Sequence, residues 1–108
     1  MPRYMIIAEY TAEGARGLMS AGGSARRTVV EKMVTGLGGR VEAFDFGFGG
    51  DDVYVTVELP DDESAAAAAL TVSGSGAVRA RTAVLLTPEQ LDRVAQLHPD
   101  YVPPGKTG

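Results

Sequence analysis

Residues 40–59 read RVEAFDFGFGGDDVYVTVEL, and this stretch decides the fold. From Asp52 to Leu59 the alternation is clean, with Val53, Val55 and Val57 on one face and Asp52, Tyr54, Thr56 and Glu58 on the other. That period of two is the mark of a half-buried strand. Arg40 to Gly47 is a second strand, with Phe44 and Phe46 on one side and Ala43 and Asp45 on the other. Between them Phe48-Gly49-Gly50-Asp51 reads as a turn on glycine content. Two strands joined by a short glycine turn form an antiparallel hairpin.

Upstream of the hairpin, Tyr4 to Tyr10 (YMIIAEY) is β-rich and apolar on both sides for much of its length, which suits a central strand. Thr11 is placed to cap a short helix over 12–20, with Ala15, Leu18 and Met19 at helical spacing. Ala21-Gly22-Gly23 interrupts it, and Ser24 then caps a second helical stretch. Val30, Met33, Val34 and Leu37 follow the i, i+3, i+4, i+7 pattern of a buried helix face, and Gly38-Gly39 stops it.

Downstream, Pro60 ends the strand and Asp61 or Asp62 caps a helix that includes Ala65 to Leu70. Ser73-Gly74-Ser75-Gly76 closes that helix, and Ala77 to Leu86 alternates as a fourth strand. Thr87-Pro88-Glu89-Gln90 opens a last helix, with a Thr cap, Pro in the first turn and Gln three residues after the cap. Leu91, Val94 and Ala95 give that helix a modest apolar face. Residues 1–98 are expected to form one domain, and the Pro- and Gly-rich residues 99–108 a flexible tail.

The order β-α-β-β-α-β at these lengths is the ferredoxin-like pattern. The expected fold class is α+β, with a four-stranded antiparallel sheet, both helices on one face and an extra C-terminal helix. The uncovered face then carries Tyr54 and Thr56 beside charges. A half-polar face of this kind is expected to pack on a second copy, so that two sheets form a dimeric α/β barrel, with Glu58, Arg79 and Arg81 pairing across the interface. A wet face is the simpler alternative.

Composition narrows the chemistry. The 108 residues contain no cysteine and one histidine, which removes disulfides, thiolate catalysis and multi-histidine metal sites within one chain. A net charge of −4 disfavours nucleic acid and anionic membrane as partners. With no long apolar run and no signal peptide at the start, a soluble cytoplasmic protein is expected. Six acids and no base fall within 51–63 (Asp51, Asp52, Glu58, Asp61, Asp62, Glu63). They lack calcium-loop spacing and fit a turn and a helix start better than a metal site.

The segments YMIIAEYTAEGARGL, LGGRVEAFDFGFGGDDVYVTVELPDD and SGAVRARTAVLLTPEQ together resemble the GYD domain family over about residues 4–90. The resemblance rests on Tyr-Thr-x-x-Gly after the first strand, Leu-Gly-Gly before the second, the Gly-x-x-Asp hairpin, the Pro-Asp-Asp helix start and the Leu-Thr-Pro-Glu stop. At the namesake motif the chain reads Gly49-Gly50-Asp51-Asp52, with aspartate at the tyrosine position, so Asp52 alone carries over. The resemblance implies a homodimer of ferredoxin-like protomers and no established activity.

Candidate site residues fall into a few groups. Arg26 and Arg27, at a helix start after Gly22-Gly23, are suited to holding an anion or carboxylate, although no phosphate-loop Lys or Ser/Thr follows. Phe44 and Phe46, with Val30 and Met33, would line an apolar pocket or simply fill a core. Asp45 and Asp52 are candidates for a carboxylate pair in proton transfer, with the hydroxyls of Tyr10 and Tyr54 beside them and Arg79 or Arg81 to stabilise an enolate. The structural reading of Asp52 is that it bonds the turn backbone. His98 is a possible base or haem ligand by residue type, but its place beside Pro99 favours an exposed, incidental role. No metal and no cofactor are expected.

The expected function is a small homodimeric binding or accessory module for a small apolar or anionic ligand. The alternatives are a cofactor-independent isomerase, cyclase or monooxygenase acting on a polyketide- or lactone-like substrate, and a purely structural or regulatory dimer.

Overall fold

The computed structural model describes residues 1–107. The elements run β1 (Arg3–Tyr10), α1 (Ala12–Ala21), α2 (Gly23–Gly36), β2 (Arg40–Phe46), β3 (Val53–Glu58), α3 (Asp62–Gly74), β4 (Val78–Leu85) and α4 (Pro88–Val94). The strands form one antiparallel sheet in the order β2-β3-β1-β4, so β1 and β3 are central. The fold is ferredoxin-like α+β, as the strand and helix order predicts.

The sheet's helix side holds the core. Tyr4, Ile6 and Ala8 of β1 alternate with Val53, Val55 and Val57 of β3, and α2 covers them with Val30 and Val34. Leu59, Ala65 and Val78 complete the cluster. A bulge at Glu42 keeps β2 in phase with this core. Val41 pairs with Val57 and Phe44 with Val55, so both face the helices although three positions separate them. The extra residue, Glu42, reaches the other side.

Two local expectations change. Gly22, at φ 89°, caps the start of α2 in place of Ser24, because only a residue free of Cβ crowding turns the chain there between two consecutive helices. The apolar face expected on α1 is not buried: Met19 is 86% exposed, and Gly14 is the residue of α1 that packs inside.

Gly14 and Gly39 are sites of close approach. A Cβ on Gly14 would meet the Ala77 carbonyl oxygen at 1.9 Å, and one on Gly39 would meet the Glu58 carbonyl oxygen at 2.1 Å. Each position lets one segment lie directly on another backbone.

The C-terminal arm behaves differently from the rest. Residues 91–107 are all exposed. The radius of gyration is 17.3 Å and the longest dimension 59 Å against 32 and 22 Å, where a compact chain of this length has a radius of about 13 Å. The last helix, Pro88–Val94, has no buried residue. His98 lies on this arm, exposed, with φ 46°.

Candidate functional site

The motifs along the chain turn out to be joints. Thr11 accepts a hydrogen bond from the Gly14 backbone at 3.2 Å, capping α1, and donates its hydroxyl to the Gly76 and Ala77 carbonyls at the start of β4. Gly14, three residues on, leaves room for that β4 backbone. Asp61 accepts from the Ser64 backbone at 2.8 Å and starts α3. Asp62 accepts from the buried Tyr4 hydroxyl at 2.7 Å, tying α3 to β1. That bond, then burial, pushes the Tyr4 phenol up to about 12.

Asp52 belongs with these joints. Its carboxylate accepts from the Tyr10 backbone N–H at 2.8 Å while its own N–H donates to the Ala8 carbonyl at 2.9 Å. Asp52 thus extends the β1–β3 ladder by one rung with a side chain. Asp51, standing where the family motif has tyrosine, bonds Arg81 of β4 at 2.8 Å. Glu58 bonds Arg40 through Oε2. Five of the six acids in 51–63 therefore have structural partners. Among the described residues no group of three His, Asp or Glu is placed to hold a metal ion.

The sheet divides the sequence-derived candidates between its two sides. On the open side, Asp45 lies opposite Tyr54 in register, and Tyr54 opposite Ile7, which is opposite Arg81. Arg79 is opposite Glu9 in the next row. On the helix side stand Tyr10, Arg26, Arg27, Phe44 and Phe46. The proton-transfer group is thus not assembled in one pocket. Of Asp45, Asp52, Tyr10 and Tyr54, only Tyr10 lines the space between sheet and helices. Within the protomer Arg81 pairs with Asp51, and Glu58 with Arg40.

The helix side carries a cleft. A volume of roughly 410 Å³ opens between α1 and α2, lined by Tyr10, Leu18, Ala21, Ala25, Arg26 and Val29, with Glu13 and Ala77 at its edges. It exists because Gly22 breaks what would otherwise be one helix. This size lies within the ~300–1,000 Å³ of small-ligand pockets. Tyr10 and Arg26 also wall a second, inner cavity of about 30 Å³, whose other residues include Ile6, Val30, Met33, Phe44, Val55 and Val72. That inner space has room for about one water, so the Phe44 side of the core is essentially filled. Phe44 and Phe46 stack edge to face at 5.3 Å, and Arg27 lies beside them with Glu31 at 4.0 Å.

Arg26 is the distinctive group. Arg3, Arg27, Arg40 and Arg81 pair with carboxylates; Arg16, Arg26, Arg79 and Arg93 do not among the described residues, and of these four only Arg26 is not exposed. It is half-buried and lies against the Tyr10 phenol. Burial raises the pKa of that phenol and the Asp52 charge adds to the rise, while the Arg26 guanidinium pulls it back. Sequence reasoning named Arg26 and Arg27 together. Spacing already distinguishes them, since Arg27 has Glu31 at i+4 and Arg26 has Val30, and the fold adds that Arg26 turns into the cleft.

The architecture and joints define a ferredoxin-like α+β protein built around one antiparallel sheet. The chain belongs to the GYD domain family, whose sequence model matches residues 4–95. No curated protein matches it. Among the described residues, no helix is long and apolar enough to cross a membrane.

Proposed function

We propose that this chain is a homodimeric small-molecule-binding module. Its helix-side cleft takes an apolar monoanion, and its open sheet face packs on a second copy. The observation that carries the binding reading is Arg26: a half-buried guanidinium without a carboxylate, beside a phenol, at the wall of an apolar cleft. A planar fork of donors in partly dry surroundings suits one carboxylate, and the aliphatic walls suit a hydrocarbon body. Glu13 at the rim disfavours ligands with a second negative charge.

The open face supports the dimer. Its middle rows are Ala83–Met5–Thr56–Ala43 and Arg81–Ile7–Tyr54–Asp45. Arg3 bonds Glu42 at 3.2 Å and Arg40 bonds Glu58 at one end, while Arg81 bonds Asp51 towards the other. With Arg3, Arg40 and Arg81 paired in their own protomer, and Glu9, Asp45 and Arg79 left at the margins, a central strip of Met5, Ile7, Tyr54 and Thr56 is open to a partner.

Binding is tested by NMR titration with octanoate, octan-1-ol and octylamine. Octanoate is expected to shift the amides of Arg26, Leu18 and Val29 and to bind at least tenfold more tightly than octanol. Arg26→Gln removes that preference. Equal binding of octanoate by the wild type and the Arg26→Gln variant contradicts the site.

A further inference from the structure

Segments far apart in sequence converge on one side chain. Tyr10 ends β1, and its backbone N–H donates to the Asp52 carboxylate, just before β3, at 2.8 Å. The next residue, Thr11, is held by the strand on the other side. Its N–H donates to the Ala77 carbonyl at 3.0 Å and its hydroxyl to the Gly76 carbonyl at 3.0 Å. The Tyr10 ring lies on Gly14, where an added Cβ would stand 3.1 Å from Cδ1. Backbone and ring are therefore both fixed, as a recognition side chain needs to be.

What this frame presents is a phenol. Tyr4, Ile6, Ala8 and Tyr10 share the helix side of β1. The two tyrosines differ in what becomes of the hydroxyl. Tyr4 donates to Asp62 at 2.7 Å. Among the described residues the half-buried Tyr10 hydroxyl donates to no acceptor, and it lies against Arg26, a donor without a carboxylate of its own. Two neighbouring donors that lack an acceptor in partly dry surroundings call for one from outside.

Tyr10 and Arg26 are also the two residues common to the linings of the outer cleft and the inner cavity, so they form the wall between them. A polar group that reaches the end of the outer cleft meets both. Leu18, Ala21 and Val29 line the way to it.

We infer that Tyr10 is the second recognition group of the cleft, its hydroxyl donating to the ligand carboxylate that the Arg26 fork holds, and that Asp52 is a positioning residue acting through Tyr10. The inference rests on the Arg26 site of the proposed function and adds to it a residue that discriminates among ligands. A carboxylate has lone pairs for the fork and the phenol together, an alcohol has one oxygen without charge, and an ammonium has no acceptor.

NMR titration tests both roles. Tyr10→Phe removes the hydroxyl and keeps the ring. It is expected to weaken octanoate about tenfold and octan-1-ol about threefold or less. Asp52→Ala is expected to weaken octanoate severalfold in the wild type and to add nothing in Tyr10→Phe, because it acts through that hydroxyl. Asp52→Asn keeps an oxygen acceptor for the Tyr10 N–H and is expected to restore octanoate binding to within about threefold of the wild type. Octanoate bound as tightly by Tyr10→Phe as by the wild type, with Arg26→Gln still losing its preference for octanoate, overturns the inference and leaves the Arg26 site standing. An equal loss of octanoate and octanol in Tyr10→Phe does the same. A loss of one size from Asp52→Ala in both backgrounds overturns the positioning role. Octanoate bound equally by the wild type and Arg26→Gln overturns the cleft reading and this inference together.

Discussion

The two faces of the sheet are built from the same strands and do opposite things. Along β3, Val53, Val55 and Val57 are buried under the helices, while Tyr54, Thr56 and Glu58, one residue away in each case, remain half-exposed. The helix side is closed by close packing and by backbone joints that tolerate no added atom. The open side is closed by nothing in the protomer, and several of its charges are paired across the strands, while Glu9, Asp45 and Arg79 are not among the described residues. One face therefore carries the packed core of the protomer, and the other is open. The motifs that mark the family fall mostly on the first kind of feature: a capping threonine, a close-packed glycine, a carboxylate standing in for a ladder rung. They explain why the fold recurs without specifying a ligand.

Substitutions should respect this division. The largest effect is expected on the closed side, at Gly14→Ala or Gly39→Ala. Either Cβ would land on a carbonyl oxygen of the neighbouring backbone, so about 3 kcal/mol or more should be lost in urea unfolding. Gly17→Ala has open space around it and is expected to be neutral or slightly stabilising, by up to about 1 kcal/mol. A large loss at Gly17 with none at Gly14 would reverse the comparison.

Tyr4 gives a smaller effect with a pH signature. Its phenol titrates near 12 in the folded chain against 10.0 for the unperturbed group. A group whose folded value is raised contributes fully below its unfolded value, and the contribution fades as pH rises from about 10 through about 12. Tyr4→Phe is expected to cost about 1 kcal/mol at neutral pH, through the lost bond to Asp62. It should also remove a tyrosinate absorbance step near pH 12. Loss of a step near pH 10 in place of one near 12 would mean that the hydroxyl is not held by Asp62.

Much of the closed side was legible in the sequence. The Val53–Val55–Val57 alternation, the Phe44/Phe46 pairing and the Thr87-Pro88 helix start are local patterns, and local patterns survive folding. The bulge at Glu42 was not legible, since it depends on matching two strands, and neither was the tightness at Gly14, which depends on where Ala77 arrives. Asp45 and Tyr10 were grouped by residue type, as a carboxylate and a hydroxyl for proton transfer. The sheet places them on opposite sides, and strand parity in β1 and β2 decides that. Leu91, Val94 and Ala95 read as a modest apolar helix face. That pattern says only that a face is apolar, not which molecule covers it. Arg26 and Arg27 were named together, although the i+4 spacing of Glu31 from Arg27 already marked one of them for an ion pair.

The smallest expected effect on protomer stability falls on the open side, and it carries the most information. Tyr54→Arg places a charge in the middle of the strip between Ile7 and Asp45 and is expected to change protomer unfolding by no more than about 0.5 kcal/mol. Sedimentation equilibrium at ten micromolar tests the central claim directly. The wild type should sediment as a dimer and Tyr54→Arg should sediment as a monomer or at least tenfold weaker dimer. A monomeric wild type, or a Tyr54→Arg variant that dimerises as tightly as the parent, would contradict the account.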